Sequence, residues 1–171
     1  MNISLIGMMG SGKTSTGKML ADRLSEFTFI DTDSKIVDQE KRTINDIFKE
    51  NGESYFRTLE TNILREIFKS DNQIISTGGG IICSDENIQL LKGNSLVFYL
   101  RADDNTLFER VKNNKERPLL NVDNMHEKII SLLDKRHLQY EKAHFIIDTD
   151  NKTIETVTEE ITGVINDCCK S

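Results

Sequence analysis

The chain has 171 residues, with 22 Lys and Arg against 28 Asp and Glu for a net charge of −6, and 37% of its residues are hydrophobic. A chain of this length closes the core of a single domain, residues 1–171, without a disulfide or a structural metal, and its composition excludes a disordered tail. The acidic balance argues against nucleic-acid binding. The absence of a long apolar run or a basic leader predicts no membrane association and a cytoplasmic location.

In chain order, Asn2 to Gly7 predicts a short apolar strand, and Lys13 to Leu24 predicts a helix with Met19, Leu20 and Leu24 on its apolar face. Further strands are expected at Phe27–Ile30, Gln73–Ser76, Leu96–Leu100 and Phe145–Ile147. Helical spacing between and after them covers Thr43–Lys49, Thr58–Phe68, Asn105–Lys112, Met125–Lys142 and Thr153–Asp167. Strands alternating with helices predict an α/β fold, a parallel sheet covered on both faces. The only proline, Pro118, falls in the polar stretch Lys112–Asn124, which reads as a loop inserted in the domain and mobile until it closes as a lid.

Gly7-Met8-Met9-Gly10-Ser11-Gly12-Lys13-Thr14 satisfies G-x-x-x-x-G-K-[ST] and lies between a predicted strand and a predicted helix. Its glycines let backbone N–H groups converge on phosphate oxygens, Lys13 reaches the β- and γ-phosphates, and Thr14 offers a hydroxyl to Mg²⁺. The nucleotide is therefore expected here, and the acceptor must lie at the ends of neighbouring strands.

Asp31-Thr32-Asp33 follows Phe27–Ile30, which places both carboxylates at that edge. Residues two apart on an extended segment share a side, which suits Asp31 to the metal and Asp33 to an acceptor hydroxyl. Equally open is a capping role, with Asp33 or Ser34 starting a helix near Lys35. Thr77-Gly78-Gly79-Gly80 follows Gln73–Ser76 and presents either bare backbone to a small ligand or a tight turn needing positive φ. Glycine here, where many P-loop ATPases place a metal-binding Asp, leaves Asp31 to share the metal work.

Four arginines stand at informative places: Arg57 before the helix that includes Glu60, Arg110 ending an apolar-periodic helix, Arg117 beside Pro118, and Arg136 before Tyr140. ATP, Mg²⁺ and an acidic acceptor together leave about three negative charges for the protein to neutralise, which Lys13 and two or three arginines would meet. The histidines His126, His137 and His144 are scattered and suit structural or surface roles. Cys83, Cys168 and Cys169 have no metal-ligand spacing and are expected as reduced thiols.

Taken together, these residues resemble the shikimate kinase family of small P-loop kinases. The resemblance rests on Gly7–Thr14, Phe29-Ile30-Asp31-Thr32-Asp33, Ile44-Asn45-Asp46-Ile47-Phe48 with Gly52-Glu53, Phe56-Arg57-x-x-Glu60, Gly78-Gly79-Gly80, Arg117-Pro118-Leu119-Leu120 and Arg136-x-x-x-Tyr140. It implies a three-layer sandwich with a five-stranded parallel sheet of order 2-3-1-4-5, a substrate-binding subdomain over about 31–61 and a lid over about 112–124. It also implies transfer of the ATP γ-phosphoryl group to the 3-hydroxyl of shikimate, on the route to chorismate and the aromatic amino acids, by a monomer.

Under this resemblance Lys13, Asp33 and Arg117 are catalytic, and Gly10, Ser11, Gly12, Lys13, Thr14, Ser15, Arg110 and Arg117 bind ATP. Asp33, Arg57, Gly78, Gly79, Gly80 and Arg136 bind shikimate, while Thr14 and Asp31 hold Mg²⁺. Arg110 would flank adenine, with Asp150–Thr153 at its rim. Rival readings are a kinase for gluconate or a nucleoside monophosphate, and a P-loop domain that holds nucleotide without turnover. Asp31-x-Asp33 with the triglycine and Arg136 disfavours the rival kinases, and a mere nucleotide holder has no reason to carry an acceptor constellation.

Overall fold

Every residue of the first strand, β1 (Ile3–Ile6), is buried, as a strand flanked on both sides and covered on both faces must be. A computed structural model describes residues 1–112 and 124–170. β1 pairs in parallel with β3 (Gln73–Ser76) on one side and β4 (Leu96–Arg101) on the other. The edges are β2 (Thr28–Asp31), paired to β3, and β5 (Phe145–Asp148), paired to β4. The sheet is parallel with order β2-β3-β1-β4-β5, as expected.

Period-two alternation sends side chains to two different cores. Ile3 and Leu5, with Phe98 and Leu100 of β4, pack on one face among Leu20 of α1 (Lys13–Arg23) and Val157, Ile161 and Ile165 of α7 (Ile154–Lys170). Ile6, Val97 and Tyr99 face the other way, against Leu64 of α3 (Ile44–Ile67), Ile88 and Leu91 of α4 (Asp85–Asn94) and Tyr140 of α6 (Met125–Tyr140). Two smaller clusters complete the molecule. One sets Met8 and Met9 against α5 (Asp104–Val111) and α6, and the other packs α2 (Thr32–Glu40) and α3 onto Ile75.

The two helices expected at Thr43–Lys49 and Thr58–Phe68 join into one element, α3, broken at Gly52 (φ 80°, ψ 175°). Only glycine takes that conformation without strain, so helix resumes directly beyond it instead of after a loop. Arg57 consequently lies within α3 and not before a helix. α4 is an additional element; it is short, and Ile88 and Leu91 are its buried apolar residues, so its periodicity is faint. Asp31, rather than Asp33 or Ser34, is the N-cap of α2, its Oδ1 accepting from the Ser34 amide at 3.1 Å. The expected lid Lys112–Asn124, with Arg117, Pro118, Leu119 and Leu120, lies outside the described residues except at its two ends. Among the described residues no helix is long and apolar enough to cross a membrane.

Candidate active site

The chain leaves β1 through a loop in which Gly7, Gly10 and Gly12 all have positive φ, and Gly12 (φ 96°) is the residue from which α1 starts. These conformations turn the loop around the helix N-terminus, where free N–H groups and the macrodipole favour an anion. Lys13 is buried with its Nζ donating to the carbonyls of Gly7 and Met8, both at 2.9 Å, so the ammonium closes over the loop. A cleft of about 530 Å³ opens above, lined by Gly10 through Thr16, Asp31, Asp33, Thr77 and Arg110, with Thr149 and Lys152 to Val157 on its far wall except for Glu155 and Thr156. The expected nucleotide loop and both acidic residues at the junction of β2 and α2 therefore share one cavity.

One corner of that cleft is built of oxygen donors. Thr14 Oγ1 donates to Asp31 Oδ2 at 3.1 Å and lies 3.1 Å from Ser76 Oγ at the end of β3. Because β2 pairs with β3 in register Asp31↔Ser76, the two groups reach the sheet edge side by side in front of α1. Two hydroxyls and a carboxylate suit a hard divalent cation such as Mg²⁺, which keeps the rest of its shell from water and phosphate oxygens. Among the described residues no cluster of three His, Cys, Asp or Glu forms a self-sufficient metal site.

The triglycine segment takes no positive φ, so its turn does not require glycine for its backbone conformation and close approach explains these residues. A Cβ on Gly78 would sit 2.6 Å from Asp33 Oδ1 and 3.0 Å from Glu60 Oε1, and one on Gly80 would collide with the Arg57 guanidinium. Glycine thus lets three charged side chains from α2 and α3 close onto the β3 edge. Gly78 N–H donates to the buried Thr32 Oγ1 at 3.0 Å. Arg57 bridges Glu60 Oε2 at 2.5 Å and Glu53 Oε1 at 2.8 Å.

Glu60 is fully buried, and loss of water raises its carboxyl to about 7 despite the Arg57 guanidinium, with the negative Asp33 pushing in the same direction. Its Oε1 has no hydrogen-bond partner among the described residues and faces the bare Gly78 backbone. The Arg57 donor holds Glu53 below the usual carboxylate range.

Arg136 on α6 is buried, and its Nη1 donates to Gly79 O at 3.4 Å, which brings the fourth helix of the site to the same segment. Arg110 reaches back from α5 to Gly10 O (3.2 Å), Thr149 Oγ1 (3.1 Å) and Thr149 O (2.9 Å), tying the P-loop to the segment after β5. The tertiary structure thus gathers Lys13, Thr14, Asp31, Asp33 and Arg110 around the cleft and sets Arg57, Arg136 and Gly78 to Gly80 beside it. Arg117 lies outside the described residues.

Ser76 and Thr149 enter the site without a motif of their own, Lys152 and Thr153 of the expected adenine rim line the cleft, and Glu60 gains its importance from burial. Ser76 closes an apolar strand, the one local signal that pointed to it. The histidines have ordinary structural partners: His126 on Asp104 Oδ2 at 2.8 Å, His137 on Asp134 O at 2.9 Å, and His144 Nδ1 accepting from Val97 N–H at 3.1 Å. All three cysteines are free and exposed.

A phosphate loop following the central strand of a 2-3-1-4-5 parallel sheet, facing acidic side chains at the end of β2 and the start of α2, makes this chain a P-loop kinase. The solved deoxyadenosine kinase of M. mycoides, 18% identical, shares the fold over 97% of this chain and 100% of its own with a TM-score of 0.63. Much nearer is shikimate kinase from Acinetobacter baumannii in complex with shikimate, 36% identical with a TM-score of 0.93 over 97% of this chain and 93% of that one. A family model described as shikimate kinase matches residues 9–166. The shikimate kinase of Thermodesulfovibrio yellowstonii is 47% identical over 160 residues, 94% of this chain and 92% of that protein; that of Persephonella marina is 42% identical over 164 residues, 96% and 98% respectively. The chain belongs to the shikimate kinase family.

Proposed function

We propose that this chain transfers the γ-phosphoryl group of ATP to the 3-hydroxyl of shikimate, a step toward chorismate and the aromatic amino acids. The observation that carries the reading is that Asp33 lines the same cleft as Lys13 and Thr14, so an acceptor hydroxyl held at Asp33 faces a phosphate held by the P-loop. Family membership and the relatives at 37–47% identity support the choice of acceptor.

ATP occupies the cleft with its phosphates on the amides of Gly10 to Ser15 and its base between Arg110 and the far wall at Asp150–Thr153. Thr14 and Asp31 would hold Mg²⁺, with the Ser76 hydroxyl beside them, and the ion would supply screening of the phosphate charge there. Lys13 exchanges its Gly7 and Met8 carbonyls for β- and γ-phosphate oxygens, and its positive charge then lies where negative charge develops.

Asp33 orients the attacking hydroxyl and accepts its proton as the O–P bond forms and the bond to ADP breaks. Arg57, Arg136 and the Gly78–Gly80 backbone bind the carboxylate and ring hydroxyls of shikimate. Arg117 closes on the phosphates from a lid over about 112–124, which excludes water that would otherwise hydrolyse ATP. We place residues 1–171 in one domain with a substrate-binding subdomain at 31–61, acting as a cytoplasmic monomer without nucleic-acid or membrane partners.

Coupled ADP release with MgATP tests the reading, comparing shikimate with gluconate, CMP and no acceptor. Shikimate-dependent turnover that disappears in Arg57→Ala is the expected result. Turnover with another acceptor, or none, removes the substrate assignment.

A further inference from the structure

Tyr140 closes α6, is fully buried, and has no part in the chemistry described above. Its ring stacks on Tyr99 with centroids 4.9 Å apart and planes inclined by 11°, which fixes the ring within the core. Its hydroxyl donates to Gly79 O at 2.5 Å and lies 3.9 Å from Met8 Sδ. The same Gly79 carbonyl receives Arg136 Nη1, one helical turn earlier. A buried phenol needs some partner, and any carbonyl of the core would satisfy it. The partner here is the middle peptide of the triglycine segment, at the point where α6, the β3 edge and the P-loop meet. A Cβ on Gly79 would lie 3.4 Å from Met9 N, 3.5 Å from Gly7 O and 3.7 Å from Tyr140 Oη, so this residue packs between the P-loop backbone and the phenol.

We propose that Tyr140 is a positioning residue for the acceptor: its hydroxyl sets the Gly79 peptide against Arg136, so that the backbone and guanidinium present one preformed surface to the shikimate carboxylate. The inference rests on the acceptor reading given above. The stack on Tyr99 supplies rigidity and the hydroxyl supplies the register. Without the hydroxyl the Gly79 carbonyl keeps, among the described residues, the longer Arg136 bond alone, and the triglycine segment and the guanidinium are free to drift relative to one another.

Tyr140→Phe keeps the ring and its stack and removes one oxygen. Loss of a single positioning hydrogen bond should raise the shikimate KM about tenfold while the ATP KM stays within about twofold of wild type. A purely structural hydroxyl would lower Tm and move neither KM selectively. A second reading needs no variant at this position: in chain labelled with 3-fluorotyrosine, the Tyr140 resonance, assigned through Tyr55→Phe and Tyr99→Phe, should shift on adding shikimate and stay in place on adding ADP. A folded Tyr140→Phe with an unchanged shikimate KM overturns the proposal, as does a Tyr140 resonance indifferent to shikimate. The wild-type chain in the same assay reports on the acceptor itself, so failure of the substrate assignment shows there, before any variant is compared.

Discussion

The Gly78 amide donates to Thr32 Oγ1 at 3.0 Å across 46 residues of sequence, a buried bond that locks the turn after β3 to the first residue of α2, between Asp31 and Asp33. Thr32→Val keeps the shape and leaves that N–H unpaired, an expected loss of about 1–3 kcal/mol, whereas Thr32→Ser restores most of it. Thermal unfolding of the two variants beside wild type checks this. Equal Tm for Val and Ser would show that the bond carries no stability.

Gly78→Ala should cripple turnover while sparing nucleotide binding. The added methyl would come 2.6 Å from Asp33 Oδ1 and 3.0 Å from Glu60 Oε1, so both carboxylates must move away from the acceptor side. The expected result is a kcat lower by at least about a hundredfold with the ATP KM changed by less than about threefold. Steady-state kinetics in both substrates decide it, and an unimpaired kcat would mean that Asp33 tolerates displacement.

Arg110→Ala should act on the other substrate. Its guanidinium joins Gly10 O to Thr149, whereas the acceptor-side arginines Arg57 and Arg136 meet Glu60 and Gly79. The ATP KM is expected to rise about tenfold with the shikimate KM essentially constant, matching the loss of a charged hydrogen-bond bridge. A parallel rise in both would place Arg110 in a structural role shared by the two subsites.

Glu60 makes a prediction about pH. Its carboxyl stands at about 7 in the folded chain against 4.5 as its ordinary value, raised mainly by burial. The native state therefore binds the extra proton between those values, and this group's contribution to stability falls as pH rises from about 4.5 to about 7 and is level above. Glu60→Gln does not titrate, so its Tm relative to wild type should climb between pH 5 and pH 8. A difference that is flat or declines over that range would mean that Arg57 keeps the carboxylate ionised throughout.

The P-loop was legible because its function is local: eight consecutive residues carry the turn, the lysine and the hydroxyl, between a short apolar strand and the start of a helix. Asp31 and Asp33 were legible as a pair because strand β2 ends there, although the choice between capping and chemistry stayed open until the structure had Asp31 capping α2 while its second oxygen meets Thr14. The helix α4 and the continuity of α3 were not legible, since one has a weak apolar stripe and the other depends on a single glycine resuming helix after a break.

Sequence alone therefore determined the alternation of strands and helices and the phosphate loop, which rest on residues near one another in the chain, and the family resemblance, which rests on the order of such short motifs along it. Tertiary structure decided which distant groups meet: Ser76 beside Thr14 across 62 residues, Tyr140 and Arg136 on Gly79 across 61 and 57, and Asp33 with Glu60 over the bare Gly78. It also decided that the triglycine serves close approach and not positive φ. The physical reason is the strand order, which places β3 between β2 and β1 and so brings the ends of three strands, separated by tens of residues, to one edge where charged side chains settle their protonation and their partners together.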